Sequence, residues 1–124
     1  MRVYWYTVEF GLVLQPDDLR IYGSGIVSSR TETVFALEDA SPNRVRFDLQ
    51  RVMRTRYRID DFQETYFVIR GIDELLELAR IDFAPIYAAI RGQPELGPGQ
   101  ILPQDRVLQR GSGAYHARRR NAVH

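Results

Sequence analysis

The sequence contains no cysteine and no lysine. Without cysteine there is no disulfide framework and no thiolate metal site, which fits a cytoplasmic chain. No stretch approaches the roughly 18 apolar residues of a membrane helix, and the start, Met1-Arg2-Val3-Tyr4-Trp5, has no apolar core of signal-peptide length. Histidine is limited to His116 and His124, both close to the end of the chain and flanked by glycine and arginine. Their spacing matches no metal-binding pattern, so they are not expected to act as ligands. All 17 basic residues are arginine, against 16 acids, for a net charge of +1. That balance excludes a strongly polycationic or polyanionic protein. The arginine bias reads either as codon usage in a GC-rich genome or as selection for anion binding, since guanidinium groups grip phosphate and carboxylate in two-pronged fashion. At 124 residues the chain suits one domain and is too short for two.

What is present is more specific. The run Tyr4-Trp5-Tyr6-Thr7-Val8-Glu9-Phe10-Gly11-Leu12 places one carboxylate among aromatic and β-branched residues. Glu9 should end up at least partly buried, and a buried carboxylate is costly unless a cation or metal pairs with it. No arginine lies within six residues of it on either side, so the run asks for a cation from elsewhere. By pattern alone the alternation of Val3, Trp5, Thr7 and Glu9 with Tyr4, Tyr6, Val8 and Phe10 reads as a strand.

Further along, Leu12–Leu14 and Leu19–Tyr22 read as two short strands joined by turn chemistry at Gln15-Pro16-Asp17-Asp18. Gly23-Ser24-Gly25 reads as a loop. Ser29 with Glu32 fits a capping box that opens a helix through Val34, Phe35 and Leu37. Asp48 is placed to cap a helix through Leu49, Val52 and Met53. Tyr66–Ile69 is a short apolar run and should be a buried strand. Ile72–Leu78 has helical spacing with acids in its first turn. Asp82 opens another helix, with Phe83, Ile86, Tyr87 and Ile90 on one face and Pro85 tolerated only in the first turn. After Gly92 the glycine- and proline-rich composition predicts a flexible basic tail over residues 92–124, following a body of residues 1–91.

Three separated segments, Tyr4–Gly11, Ile21–Ser29 and Phe62–Val68, together resemble the aromatic amino acid hydroxylases, most closely their bacterial phenylalanine 4-hydroxylase branch. The resemblance covers roughly residues 2–90, and the three segments occur in the family's order. It implies an α+β, mainly helical fold: the C-terminal half of the catalytic domain, with a small β-hairpin and a disordered tail. It also implies that the Trp5 run is the end of a long helix rather than a strand, and a short helix lacking its earlier turns should fray.

The resemblance further implies an oxidoreductase, a monooxygenase using Fe(II) and a tetrahydropterin to convert L-phenylalanine and O2 to tyrosine, from a monomeric parent enzyme. Glu9 would be the carboxylate iron ligand, and Tyr4 would stand near the iron and the pterin. Trp5 and Phe10 would line the pocket for the substrate ring. Gly25 and Ser28 would meet its amino-acid end, and Ser28 would also orient an iron-bound imidazole. Glu32 would lie near the site. The family's two histidine ligands belong to a motif that this sequence does not carry, so one ligand of three is expected here and little or no activity from the chain alone. A second reading is a non-catalytic remnant or interaction module that self-associates through exposed apolar surface. A third takes Arg44, Arg46, Arg51, Arg54, Arg56 and Arg58, with Phe47 and Tyr57 interleaved, as a nucleic-acid face. Asp48, Asp60, Asp61 and Glu64 nearby make a solvated, ion-paired face the plainer account of that cluster.

Overall fold

A computed structural model of the chain describes residues 2–14, 19–27 and 29–123. The turn expected at Gln15–Asp18, the site residue Ser28 and His124 lie outside the described residues. The chain opens with α1 (Arg2–Tyr4), which widens at once into a π-helical turn over Trp5–Glu9. Phe10 N–H donates to Trp5 O at 2.9 Å, the five-residue step of a π turn. The strand pattern therefore loses to tertiary packing. Tyr6 is buried edge-on against Phe67, with ring centroids 4.9 Å apart, and a helical path is what carries it there.

Among the described residues, five strands form one mixed sheet in the order β2-β1-β4-β3-β5. They are β1 (Leu12–Leu14), β2 (Leu19–Ile21), β3 (Asn43–Arg46), β4 (Thr65–Ile69) and β5 (Val107–Gln109). β1 and β2 make the expected antiparallel hairpin, β1 and β3 flank β4 in parallel, and β5 closes the far edge antiparallel to β3. β4 is buried along its whole length, as its apolar run requires.

Its side chains divide the core by the two-residue period of a strand. Phe67 and Ile69 pack with Tyr6, Val13, Val45 and Val52 on one face, and Tyr66 and Val68 pack with Leu12, Ile26, Phe35 and Ala36 on the other. The first face is covered by the π turn, α4 (Leu49–Met53) and α5 (Ile72–Leu78), the second by α2 (Ser24–Val27) and α3 (Arg30–Glu38). α2 forms where the sequence suggested a loop. Both expected caps are in place: Ser29 Oγ accepts from Glu32 N at 3.2 Å, and Asp48 Oδ1 from Arg51 N at 3.1 Å. α6 (Ala84–Ile90) carries Pro85 in its first turn, and α7 (Ala114–Val123) ends the described chain.

The segment after Gly92 differs from the expected tail. Leu96 is buried and pairs with the end of α4, with Leu96 N donating to Arg54 O at 2.7 Å. Asn43 on β3 donates to Gly99 O at 3.1 Å and accepts from Gly111 N at 2.7 Å. Tyr115 Oη donates to Asp61 Oδ1 at 2.7 Å, and His116, only 2% exposed, hydrogen-bonds Phe62 O at 2.7 Å. These links are polar and scattered, so no hydrophobic period announces them.

Candidate functional site

The π turn presents Glu9 half-buried beside α2. A π turn packs one more residue into each turn than an α-helix, which re-aims the side chains around it; such turns are frequent at functional sites. Glu9 Oε1 accepts from Tyr4 Oη at 3.3 Å. No arginine forms an ion pair with Glu9 among the described residues. Arg2, the nearest in sequence, turns away to Glu95 and to Met53 O. The cation that the sequence asks for is therefore not supplied by these residues.

Gly25 at the start of α2 faces the same carboxylate. A Cβ there would lie 2.9 Å from Phe10 Cζ and 3.0 Å from Glu9 Oε2. The absence of a side chain is what lets Glu9, Phe10 and α2 approach one another. Trp5 stands on the same turn. Its ring lies 4.8 Å from that of Phe10 and stacks on Tyr57 at 4.5 Å, so an aromatic wall of three rings adjoins the carboxylate. Trp5 Nε1 is buried with no partner among the described residues. Tyr57 completes this wall, and sequence reasoning missed that role, because Arg56 and Arg58 on either side make it look like part of a charged surface.

The structure thus brings together Tyr4, Trp5, Glu9, Phe10 and Gly25. Glu32 does something else. Its carboxylate accepts from Tyr66 Oη at 2.5 Å and from Gln63 N at 3.2 Å. The return half of the capping box is not made, since Ser29 N instead donates to Ile26 O at 2.9 Å. Burial pushes the Glu32 carboxyl above the ordinary range, and the bonds from Tyr66 and Gln63 only partly offset it.

Metal-ligand groups are sparse. No group of three or more His, Cys, Asp or Glu able to hold a metal ion occurs among the described residues. His116 is buried against Phe35, Phe62 and Tyr115, so neither its position nor its bonds offer it to Glu9. The described residues do not by themselves fit an iron site, because one carboxylate lacks the affinity of a full ligand set.

The arginine run on residues 44–58 is not one surface. Arg44 is 1% exposed and closes the C-terminal end of α3, donating from Nε to Ala36 O at 2.8 Å and from Nη2 to Asp39 O at 2.9 Å. Arg51 is buried in an ion pair with Asp105 at 3.0 Å. A nucleic-acid face built on all six is therefore not what the fold presents. No helix among the described residues is long and apolar enough to cross a membrane.

The model of the biopterin-dependent aromatic amino acid hydroxylase family matches residues 1–85. The chain is 60% identical over 114 residues to a phenylalanine-4-hydroxylase of Caulobacter vibrioides, covering 92% of this chain and 39% of that protein. It is 56% identical to that of Ralstonia nicotianae, of which it covers 36%. The structure of the iron- and phenylalanine-bound phenylalanine hydroxylase of Chromobacterium violaceum superposes with a TM-score of 0.83 at 54% identity, covering 86% of this chain and 40% of that one. The chain thus spans well under half the length of these relatives, and the similarity runs past Gly92 into the segment that holds β5. By sequence and by fold, the chain belongs to the biopterin-dependent aromatic amino acid hydroxylases.

Proposed function

We propose that this chain supplies the carboxylate and the aromatic wall of a phenylalanine 4-monooxygenase catalytic domain, acting on L-phenylalanine and O2 with Fe(II) and a tetrahydropterin. The observation that carries the reading is Glu9: a half-buried carboxylate without a cation among the described residues, set between an aromatic wall and a backbone stripped of its Cβ. The 60% identity to a phenylalanine-4-hydroxylase supports the choice of substrate.

In this reading Glu9 is a metal-ligating carboxylate and Tyr4, bonded to it, stands on the pterin side. Trp5 and Phe10 hold the substrate ring by stacking and dispersion and keep water from it. Gly25 lets the amino-acid end approach the main chain, a role Ser28 shares by resemblance. Iron and pterin would supply the oxygen chemistry when the remaining ligands are present. Since the described residues hold no complete ligand set, the chain alone is expected not to turn over.

The test is a chimera in which this chain replaces the matching part of the Chromobacterium violaceum enzyme, a swap favoured by their 54% identity. Tyrosine formation by the chimera, cut by more than about 100-fold in its Glu9→Ala variant, is the expected result; even outer-shell partners of a metal cost 10–100-fold. Full turnover by the Glu9→Ala chimera, or robust turnover by the chain alone, would overturn the reading.

A second reading, an interaction module, is favoured by one feature. Val3, Val8, Leu75, Leu76 and Phe83 line an apolar groove of about 530 Å3 between the first turns and α5–α6. A monodisperse, cooperatively melting monomer would count against it.

A further inference from the structure

β3 and β4 run parallel, and their carboxyl ends open into a cleft of about 400 Å3 that shares no residue with the Glu9 group. Arg46 ends β3 and Arg70 directly follows β4. The carboxyl ends of parallel strands are where open sheets bind ligands. Five arginines and three carboxylates line this cleft, an excess of two positive charges.

The acids are already engaged. Asp105 takes both Arg51 Nε, at 3.0 and 3.2 Å, and Leu102 N at 2.8 Å, so that pair neutralises itself. Asp48 caps α4. Glu74 accepts from Arg70 N at 2.8 Å and lies between two guanidinium groups, 3.8 Å from Arg46 and 3.9 Å from Arg70. One carboxylate cannot balance both.

The remaining cations are poorly used. Among the described residues Arg54 donates only to a neutral carbonyl, Pro94 O, at 3.1 and 3.3 Å. The Arg70 side chain is 73% exposed. The Arg106 guanidinium makes no hydrogen bond or ion pair among the described residues. Arg46 and Arg70 share the single Glu74 carboxylate, with Arg46 also donating to Val68 O at 2.9 Å, so the acids lining the cleft leave two of its five cations unbalanced.

We propose that this cleft binds a doubly charged oxyanion of the phosphate class, held by Arg46, Arg54, Arg70 and Arg106. The charge excess matches a dianion. A tetrahedral oxyanion accepts from guanidinium forks on several sides at once, whereas a planar carboxylate is satisfied by one fork. The ligand is either free phosphate or a phosphate monoester.

The test titrates inorganic phosphate into the full chain at constant ionic strength, with chloride as the balancing anion, and follows the melting temperature. Saturable stabilisation at millimolar phosphate is expected. It should weaken by about tenfold or more in apparent affinity when Arg70→Gln and Arg106→Gln are combined, each removing charge-assisted bonds. Both residues are exposed, so the double variant should fold. Arg91→Gln, also exposed but outside the cleft, should leave binding unchanged. A parallel titration with glycerol phosphate separates the two sources: tighter binding of the monoester identifies a phosphorylated metabolite, and tighter binding of phosphate identifies the free ion. No stabilisation by either anion, or equal stabilisation of the double variant through general anion exclusion, would overturn the proposal.

Discussion

The Tyr66 hydroxyl on β4 donates a 2.5 Å hydrogen bond to Glu32 Oε2 on α3, beneath a packed layer of Phe35 and Val68. This bond joins a central strand to the helix that covers it. The carboxylate has no cation among the described residues, so its ionised form is penalised by burial and its pKa is raised.

The consequence for stability has a definite sign. A carboxyl whose folded pKa is raised binds its proton more tightly in the fold than in the unfolded chain. Its contribution is fully present below the unfolded value, near 4.5, and is lost as pH rises through the higher folded value. Glu32→Gln removes this titration while keeping an oxygen to accept from Tyr66. The melting temperature of the parent, relative to Glu32→Gln, should therefore fall as pH rises upward from about 4.5. Thermal melts of both proteins across this range check it. Asp61 shifts the opposite way: burial raises it, but the Tyr115 hydroxyl, Phe62 N–H and the charges of Arg119 and His116 together pull it down. Asp61 therefore titrates below the range compared and stays ionised across it, and its charge is itself one of the causes that raise Glu32. Parallel pH profiles would sink the assignment.

Gly25→Ala tests how tightly Glu9 and Phe10 are seated. The new Cβ would meet the tips of two side chains at 2.9 and 3.0 Å and Glu9 O at 3.0 Å, so the side-chain tips can shift by a few tenths of an ångström. The expected cost is about 1 kcal/mol. Trp5 is the single tryptophan and lies 4.8 Å from Phe10, so its fluorescence reports the displacement directly. A changed emission spectrum with a small loss of stability is expected. An unchanged spectrum would mean that Phe10 does not rest on Gly25.

Arg51→Gln should be far more damaging than its place in an arginine-rich run suggests. Both side chains of the Arg51–Asp105 pair are less than 5% exposed, and Arg51 also donates to Thr55 Oγ1 and Gln100 O, both at 2.5 Å. Removing the cation leaves Asp105 buried and unpaired, which costs about 3–5 kcal/mol. Adding Asp105→Asn should recover part of that loss. Denaturant melts of the single and double variants measure it, and additive losses would show that the two side chains are not coupled.

These residues mark what the sequence makes legible. β4, the hairpin strands and the caps at Ser29 and Asp48 stand out because local pattern and tertiary role agree. At Trp5–Glu9 they disagree: strand formers sit in a π turn because Tyr6 must reach the core. Glu9 and its aromatic neighbours are visible as a chemical anomaly, a carboxylate with no arginine within six residues. Arg44 and Arg51 mislead, because charged side chains read as surface while their partners, Ala36 O and Asp105, are a backbone atom or distant in sequence. The docking of residues 94–116 is hidden for a similar reason. It rests on Asn43, Ser41 and Thr65 bonding to the main chain of a glycine- and proline-rich segment, and such bonds leave no periodic trace.

That docking makes a last prediction about proteolysis. A protease needs several residues of chain in extended, accessible form, so cleavage follows local opening rather than side-chain exposure. The Arg106 and Arg110 side chains are exposed, yet Arg106 O accepts from Arg46 N at 2.8 Å and Gly111 is wedged under residues 41–42. Trypsin should therefore cut first at Arg118, Arg119 or Arg120 near the end of α7 and leave Arg106 and Arg110 intact for longer. Gly111→Ala would place a Cβ 2.1 Å from Ser41 O and 2.4 Å from Pro42 C, atoms of the main chain that cannot rotate away. The variant should release β5, lose the protection at both arginines and destabilise the sheet edge. Mass spectrometry of timed digests distinguishes the outcomes: cleavage of the parent at Arg106 or Arg110 as fast as at Arg118–Arg120 would show that the segment is not docked, whereas selective opening in Gly111→Ala would place its anchor at Gly111.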